Sequence, residues 1–342
     1  MNNLIMKNYG YFNFFDTDAD NENVGRITFH SKENYRVLCS KGELKGVLKG
    51  KYAYQTKISE EYPYVGDWVS FNYTSEDQVI ITGIIPRKNK ISRKMRGKQF
   101  SEQIIACNVD YIIICISANE NFSITRLERY LYAFSCENAK PVVVITKKDL
   151  VDNIDEYILK IKENYPNLDV IATGMYDNLS IEKLLPFLAE ETTSVIIGSS
   201  GVGKSTLINQ IIGSDVLRTG EINEKTEKGK HTTTFRKLIY LGSGFGCMID
   251  TPGMRSVSLW NCDDGNEAFS DIEELTHFCK YRNCTHTSEK GCALLESVIQ
   301  GGISKERYRN FVKLKKEEDF INSKIDTKAI KEYNKRIKER EK

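Results

Sequence analysis

The chain has 342 residues, and its 49 lysines and arginines nearly balance 47 aspartates and glutamates, which gives a formal net charge of +2. This balance excludes an overall field that attracts nucleic acid, so any such binding must come from local patches. No apolar run approaches the roughly 18 residues of a membrane helix, and the first residues lack a signal-peptide profile, which predicts a cytoplasmic protein without membrane association. The length predicts two or three domains.

Residues 24 to 85 have the pattern of short strands separated by polar or glycine-containing turns. The predicted strands are 26–29, 35–39, 44–48, 68–73 and 79–85. Five short strands predict a small β-barrel, for which the oligonucleotide-binding fold (OB-fold) is the natural candidate. The periodicity is equally compatible with an SH3-like barrel or a plain β scaffold.

A strongly basic segment follows the predicted barrel. Residues 86–98 read PRKNKISRKMRGK, with seven basic residues and no acidic one. Such a segment can follow an RNA backbone, because each lysine or arginine that meets a phosphate releases counterions. The alternative is a solvated linker between domains. The adjacent barrel, a nucleic-acid type of fold, favours RNA contact.

From residue 110 onward, strand and helix patterns alternate. The predicted strands are 111–116, 142–145, 170–172 and 195–197, and the predicted helices are 124–136, 154–164 and 181–188. This alternation predicts a mainly parallel sheet with crossover helices and with ligand loops at the carboxyl ends of its strands. The charges Arg126, Glu128 and Arg129 on the first helix are expected to be solvated.

A phosphate-binding loop (P-loop) follows the last of these strands, where residues 198–206 read GSSGVGKST. Its glycines let backbone N–H groups approach the phosphates of a nucleotide, Lys204 neutralises the β- and γ-phosphates, and the Ser205 hydroxyl ligates Mg²⁺. The following helix directs its positive end at the anion. The predicted phosphate-binding residues are Gly198, Ser199, Ser200, Gly201, Val202, Gly203, Lys204, Ser205 and Thr206.

Two further motifs lie downstream. Asp250-Thr251-Pro252-Gly253 follows an apolar segment, so Asp250 is expected in the Mg²⁺ shell and the Gly253 N–H at the γ-phosphate. Residues 229–234 read GKHTTT. A threonine on a loop in this position senses Mg²⁺ and γ-phosphate in a GTPase switch, and we assign Thr233 to that role.

A base-recognition motif lies upstream of the P-loop, after the apolar residues 141–145. It comprises Thr146, Lys147, Lys148 and Asp149. The Asp149 carboxylate can accept both the N1–H and the N2–H₂ of guanine, and Lys147 is expected against the base plane. Most GTPases have asparagine where Thr146 stands. Residues 172–174 are a candidate partner loop for the base.

A cluster of cysteines and one histidine lies near the C-terminus. Cys279, Cys284, His286 and Cys292 fall within 14 residues, and His277 lies just outside this pattern. In a reducing compartment such a cluster indicates metal rather than disulfides, and three thiolates with one imidazole can close a tetrahedral structural zinc site. Buried or redox-active cysteines are the alternative.

The order of motifs is base motif, P-loop, switch, DTPG, whereas an ordinary GTPase begins with the P-loop, so the domain is circularly permuted. With GSSGVGKST, GKHTTT, DTPGMR and the cysteine cluster, the chain resembles the ribosome small subunit-dependent GTPase A family over nearly its whole length. The resemblance implies an N-terminal OB-fold barrel, a circularly permuted α/β P-loop GTPase domain and a C-terminal zinc-binding helical domain. We place them at residues 1–92, 93–262 and 263–342.

The resemblance also implies functional roles. The four zinc ligands match the family pattern one for one, and His231 is similar to the family's catalytic histidine, acting with Lys204 and Asp250. Met254 stands where many GTPases place a glutamine and cannot orient water by hydrogen bonding. His231 has the alternative role of holding its loop or contacting RNA.

The implied activity is hydrolysis of GTP by a maturation factor for the small ribosomal subunit. The protein would bind ribosomal RNA (rRNA) in its GTP state, be stimulated by the subunit and act as a monomer. An RNA-binding scaffold with structural or vestigial nucleotide is one alternative, and an ATP-driven enzyme is another.

Overall fold

The computed structural model describes residues 2–15, 21–31, 34–50, 62–95, 101–134, 139–175, 177–213, 236–254, 257–260 and 267–340. The chain forms two compact units. The first takes Met1–Ser92, Gln103–Ile124 and Glu137–Ser256, and the second takes Arg93–Glu102, Thr125–Cys136 and Val257–Lys342. The three-domain division at residues 92 and 262 is finer and stays a prediction.

The first unit begins with two short helices and a five-stranded barrel. The helices are α1 (Asn2–Asn8) and α2 (Tyr11–Phe15), and the strands are β1 (Val24–Ser31), β2 (Asn34–Cys39), β3 (Gly42–Leu48), β4 (Trp68–Tyr73) and β5 (Gln78–Ile84). The strands pair in the order β1-β2-β3-β5-β4, and β4 returns to β1 to close the barrel. Only the β3–β5 pair is parallel. This closed five-stranded connectivity is that of the predicted OB-fold.

Alternating apolar residues fill the barrel. Ile27, Val37 and Phe71 are among its fully buried side chains. A second cluster forms where the N-terminal helices cover one end, because Met6 and Tyr11 pack with the buried Trp68. Burial of each such side chain stabilises the fold by about 1.5–3 kcal/mol.

The rest of the first unit is a mainly parallel sheet. Its strands are β8 (Tyr111–Ser117), β9 (Lys140–Thr146), β10 (Asp169–Ala172), β11 (Thr193–Gly198), β12 (Arg236–Tyr240) and β13 (Cys247–Asp250). They lie in the order β10-β9-β8-β11-β13-β12, all parallel except β12. The P-loop strand β11 is therefore central, and strands that precede it in the chain occupy one whole side. This arrangement confirms the predicted permutation.

Helices α4 (Asp155–Lys162), α5 (Asn178–Glu182) and α6 (Lys204–Gly213) belong to the same unit. Leu207 and Ile208 of α6 are buried with Val144 and Ile196 of the sheet. The helix predicted over 181–188 is divided, because α5 ends at Glu182 and a separate 3₁₀ turn covers Leu185–Leu188. Pro186 explains the break, since its ring nitrogen has no hydrogen to donate to a continuing helix.

The barrel and the parallel sheet share hydrogen bonds. Strand β1 pairs antiparallel with β12, with Phe29 opposite Lys237 and His30 opposite Arg236. In the described part of the chain, the strands of the barrel and of the parallel sheet therefore form one continuous eleven-stranded sheet.

The basic segment contributes to β6 (Lys90–Lys94), which pairs with β7 (Glu102–Cys107) in a separate two-stranded ribbon.

Arg87 is not part of an exposed basic surface. Its guanidinium donates to both carboxylate oxygens of the buried Asp67, at 2.7 Å each. Burial lowers the pKa of Arg87, but the bonds to Asp67 outweigh burial and raise it. Arg87 is thus engaged by Asp67, RNA contact by the basic segment stays a prediction, and residues 96–98 lie outside the described chain.

The second unit contains α3 (Ile124–Phe134), α7 (Ser270–Thr276), α8 (Ala293–Gln300) and α9 (Lys305–Arg340).

The expectation of solvated charges on α3 is wrong at two positions. Glu128 is 1% exposed and accepts hydrogen bonds from Arg307 at 2.7 Å and Asn310 at 2.6 Å. Arg129 donates to Glu317 at 2.8 Å. The buried Glu128 has such partners because an isolated buried charge is very costly, whereas the Arg129–Glu317 pair is partly exposed.

None of the helices in the described part of the chain is both long enough and apolar enough to cross a membrane.

Candidate functional site

The P-loop connects the carboxyl end of β11 to the start of α6. Gly198 has φ +152°, and a Cβ there would lie 2.7 Å from the carbonyl oxygen of Cys115 on the neighbouring strand. Gly201 and Gly203 also have positive φ angles, of 75° and 108°. Only glycine adopts such angles at little cost, so this backbone requires the observed glycines.

Lys204, the first residue of α6, lies inside the loop. It is 7% exposed, and its Nζ donates to the carbonyls of Gly198 and Ser199, both at 3.0 Å. Burial lowers the pKa of Lys204, while the charges of Cys115 and Asp250 oppose the shift. The ammonium is thus held where a β- or γ-phosphate on this loop would meet it.

The DTPG segment packs directly onto the P-loop. The Met254 N–H donates to the Gly198 carbonyl at 3.0 Å, and the Thr251 hydroxyl donates to the Ile196 carbonyl at 2.6 Å. A Cβ on Gly253 would lie 2.8 Å from the Ser200 Cα, so only glycine permits this approach.

The candidate Mg²⁺ donors lie at the same sheet edge. Asp250 ends β13, which pairs in parallel with β11, and Ser205 is the second residue of α6, within the P-loop. Carboxylate and hydroxyl oxygens are the donors that Mg²⁺ prefers beside nucleotide phosphates, so this donor set fits the ion.

Thr146 joins the base motif to the P-loop. It is 4% exposed, and its hydroxyl bonds to the Val202 carbonyl as well as to the Ile116 carbonyl, the latter at 3.1 Å. The Thr146 side chain also lies 3.5 Å from the position that a Cβ on Gly203 would take. Threonine thus provides a side-chain link at the position where most GTPases have asparagine.

Asp149 is exposed at the carboxyl end of β9, and its Oδ1 accepts from the Met175 N–H at 2.9 Å. The candidate partner loop at 172–174 is therefore beside it. Lys147 has a left-handed backbone, with φ 60°. Lys148 pairs with Asp177, the N-cap of α5. The geometry brings Thr146 and Asp149 to the site, and the predicted nucleotide contacts of Lys147 and Lys148 stay predictions.

The switch residues His231 and Thr233 lie outside the described residues, so their roles remain predictions. Met254 is 3% exposed beneath the DTPG turn and has no group that could orient water.

The predicted metal ligands converge in the second unit. The ligand atoms of Cys279, Cys284, His286 and Cys292 all lie within 4.8 Å of one another. The Cys279 and Cys292 sulfurs are 3.8 Å apart, and each is 3.5 Å from the His286 Nδ1. A tetrahedral zinc ion with ordinary bond lengths places two sulfurs about 3.8 Å apart and sulfur and nitrogen about 3.5 Å apart. The donor set therefore fits zinc in both chemistry and dimensions.

The surroundings of His286 support this arrangement. Burial lowers its pKa, although the charge of Glu289 opposes the shift, which favours the neutral imidazole that binds metals. The Tyr308 hydroxyl donates to the His286 carbonyl at 2.6 Å and fixes the turn on which the histidine sits.

Sequence reasoning missed two supporting residues. The Thr251 hydroxyl ties DTPG to β11, and the Gln210 side chain on α6 donates to the Gly174 carbonyl at 3.0 Å. Motif spacing carries no signal for either contact, because each depends on how separate segments pack.

A P-loop, a DTPG turn and a guanine-type base motif lie together at the carboxyl ends of one parallel sheet, in permuted order. This fold and site define a circularly permuted P-loop GTPase. Comparison with known proteins agrees. The family model described as RsgA GTPase matches residues 84–260, and one described as 50S ribosome-binding GTPase matches residues 193–341.

Relatives match over most of the chain. The Small ribosomal subunit biogenesis GTPase RsgA 2 of Lactiplantibacillus plantarum is 38% identical over 318 residues, covering 92% of this chain and 89% of the relative. RsgA 1 of Listeria innocua is 39% identical over 324 residues, with the same coverage of both chains. The chain belongs to the RsgA GTPase family.

Solved structures show the same fold. The circularly permuted GTPase YloQ aligns with a TM-score of 0.61 at 26% identity, covering 86% of this chain and 95% of that one. YjeQ from Thermotoga maritima aligns with a TM-score of 0.63 at 24% identity, covering 85% and 96%.

Proposed function

We propose that this protein hydrolyses GTP as a maturation factor for the small ribosomal subunit, binding rRNA in its GTP state and being stimulated by the subunit. One observation carries the proposal. The P-loop, the DTPG turn and Asp149 meet at one sheet edge in a chain 38% identical to a small ribosomal subunit biogenesis GTPase over 92% of its length.

Asp149 selects guanine in this proposal. Its carboxylate accepts from the N1–H and N2–H₂ of the base, which adenine cannot offer in that pattern. By analogy with sites that hydrogen-bond a substrate group, discrimination is roughly 10⁴-fold. Thr146 aligns this recognition with the phosphates through its bond to the Val202 carbonyl.

The phosphates lie on residues 198–206 and meet the Lys204 ammonium and the Gly253 N–H. Ser205, Asp250 and Thr233 would hold Mg²⁺, which would neutralise charge that develops on the phosphate oxygens. His231 orients the attacking water, since Met254 cannot. Substitution His231→Ala should therefore lower turnover more than nucleotide affinity.

The barrel and the remaining basic residues of the segment 88–98 bind rRNA, and zinc on Cys279, Cys284, His286 and Cys292 maintains the C-terminal module. The protein acts as a monomer in the cytoplasm, where the ribosome is assembled. Contact with the subunit brings His231 into its catalytic position, so hydrolysis accelerates when the protein is bound.

GTP turnover measured alone and with purified small or large ribosomal subunits tests this proposal. Stimulation by small subunits alone is the expected result, and its absence at every salt concentration would overturn the ribosomal assignment while leaving the GTPase intact. Neutralising Arg93, Lys94 and Arg96 together should weaken subunit binding at moderate salt and leave unstimulated turnover unchanged, because phosphate contacts exchange with counterions.

The same assay separates the alternatives. A scaffold with vestigial nucleotide would bind subunits without turnover, and an ATP-driven enzyme would hydrolyse ATP at a comparable rate. The buried Lys204 and the convergence of Asp250 on the P-loop edge favour hydrolysis over the scaffold.

A further inference from the structure

The peptide unit between Gly174 and Met175 is held from both ends by side chains. Its carbonyl oxygen accepts from the Gln210 Nε2 at 3.0 Å, and its N–H donates to the Asp149 Oδ1 at 2.9 Å. The three groups form one hydrogen-bonded chain, from an amide on the P-loop helix, through a backbone peptide, to the carboxylate of the base motif. Each bond polarises the next in such a chain.

Because residue 174 is a glycine, its peptide needs the hydrogen bond from Gln210 to keep its orientation. A Cβ at this position would lie 2.9 Å from the Asp149 Oδ1, so the approach of carboxylate and loop requires a residue without a side chain. Glycine, however, resists rotation of its peptide less than any other residue. Without a second bond on the carbonyl, the N–H that faces Asp149 is free to turn away.

Gln210 is suited to this role by its location. It lies six residues after Lys204 on α6, half-buried, so its backbone is fixed by the helix that carries the phosphate-binding lysine. Helix α6 therefore positions the phosphate contacts and, through the Gly174–Met175 peptide, also the Asp149 carboxylate. Its neighbour Asn209 is exposed on that helix.

We propose that Gln210 is a positioning residue for guanine recognition, which acts on Asp149 through the Gly174–Met175 peptide. The inference rests on the proposed role of Asp149 and adds a determinant outside the recognised nucleotide motifs. Its loss leaves the phosphate contacts in place but loosens the carboxylate, so affinity for guanine nucleotides and discrimination against adenine nucleotides fall together.

Two variants remove the donor: Gln210→Met, which keeps the length and helix propensity, and Gln210→Ala. The dissociation constants of GDP and ADP are measured for each, with Asn209→Ala as the control on the same helix. We expect GDP affinity to fall about three- to tenfold, the range for one lost hydrogen bond, with ADP affinity and the control unchanged. In turnover assays, KM for GTP should rise by a similar factor while kcat changes little.

The decisive measurement repeats Gln210→Met in an Asp149→Ala background. If Gln210 acts through Asp149, its effect on GDP binding disappears there, whereas a general loosening of α6 lowers GDP and ADP affinity equally in both backgrounds. The latter result, or unchanged GDP affinity in both Gln210 variants, overturns the inference. A wild-type protein that binds GDP and ADP equally would instead overturn the role of Asp149 itself.

Discussion

The hydroxyl of Thr146 bonds to the backbone carbonyl of Val202. One residue belongs to the base motif and the other to the P-loop, 56 positions later in the chain. This contact joins the two halves of the nucleotide site, whose order in the sequence is reversed relative to an ordinary GTPase.

Replacing Thr146 with valine keeps the shape but removes the donor. The carbonyls of Ile116 and Val202 then lose a buried partner, which should lower the free energy of unfolding by about 1–3 kcal/mol and weaken GDP binding. Urea denaturation and titration with a fluorescent GDP analogue measure both effects. Thr146→Ser, which keeps the hydroxyl, should retain most of the affinity. Equal stability and affinity in the valine variant would show that the link is unimportant.

Substitution Gly174→Ala should weaken guanine recognition. The new Cβ would lie 2.9 Å from the Asp149 Oδ1, so the carboxylate must shift from the position in which it accepts from the Met175 N–H. We expect roughly tenfold weaker GTP binding, equivalent to about 1.4 kcal/mol. Gly213→Ala is the control, because a Cβ there meets nothing within 4 Å. Calorimetric titration with GTP checks the difference, and equal affinities in the two variants would contradict it.

Lys204→Ala should abolish hydrolysis without destabilising the nucleotide-free protein. Burial lowers the pKa of Lys204, so its charged form is costly until a phosphate pairs with it. Thermal unfolding should show that GTP with Mg²⁺ raises the melting temperature of the wild type but not of the variant. A variant still stabilised by GTP to the wild-type extent would rule out the assigned role.

Freshly purified protein should contain one zinc per chain. Apparent binding energies of about 10–16 kcal/mol are typical of structural zinc in small domains, so Cys284→Ser should lose the metal and unfold the C-terminal module. Elemental analysis and limited proteolysis provide the readouts. The matched control is His277→Ala, since His277 is exposed nearby and lies outside the four-ligand cluster. Normal folding of Cys284→Ser without metal would refute a structural role for zinc.

Glu128→Ala should destabilise the second unit by about 1.5–3 kcal/mol, because the buried Arg307 guanidinium loses one of its carboxylate partners and keeps Asp271. The double variant Glu128→Ala with Arg307→Met should recover part of this loss. Arg126→Ala, an exposed neighbour on the same helix, should change little. Thermal denaturation of the three proteins gives the comparison, and a double variant no more stable than Glu128→Ala would argue against the buried pair.

The nucleotide motifs and the mainly parallel sheet were predictable from the sequence because both depend on local patterns. Glycine spacing, apolar strand runs and the order of motifs define a permuted P-loop fold without knowledge of distant contacts. The metal cluster was predictable for the same reason, since all four ligands lie within 14 residues.

The supporting contacts could not be predicted. Glu128 and Arg307 are 179 positions apart, and nothing in the helix around Glu128 distinguishes it from a solvated charge. Arg87 lies in a basic run of the sequence, but in the folded protein it pairs with Asp67. Tertiary packing decides which charges become buried, and one sequence does not reveal which distant segments will meet.

The pairing of β1 with β12 has a further consequence for solubility. Strand β12 would otherwise end the parallel sheet and present a row of unpaired N–H and C=O groups to other molecules. Such exposed edges recruit strands from neighbouring chains and start aggregation. By hydrogen-bonding along part of this edge, the barrel obstructs intermolecular strand addition beside the nucleotide site.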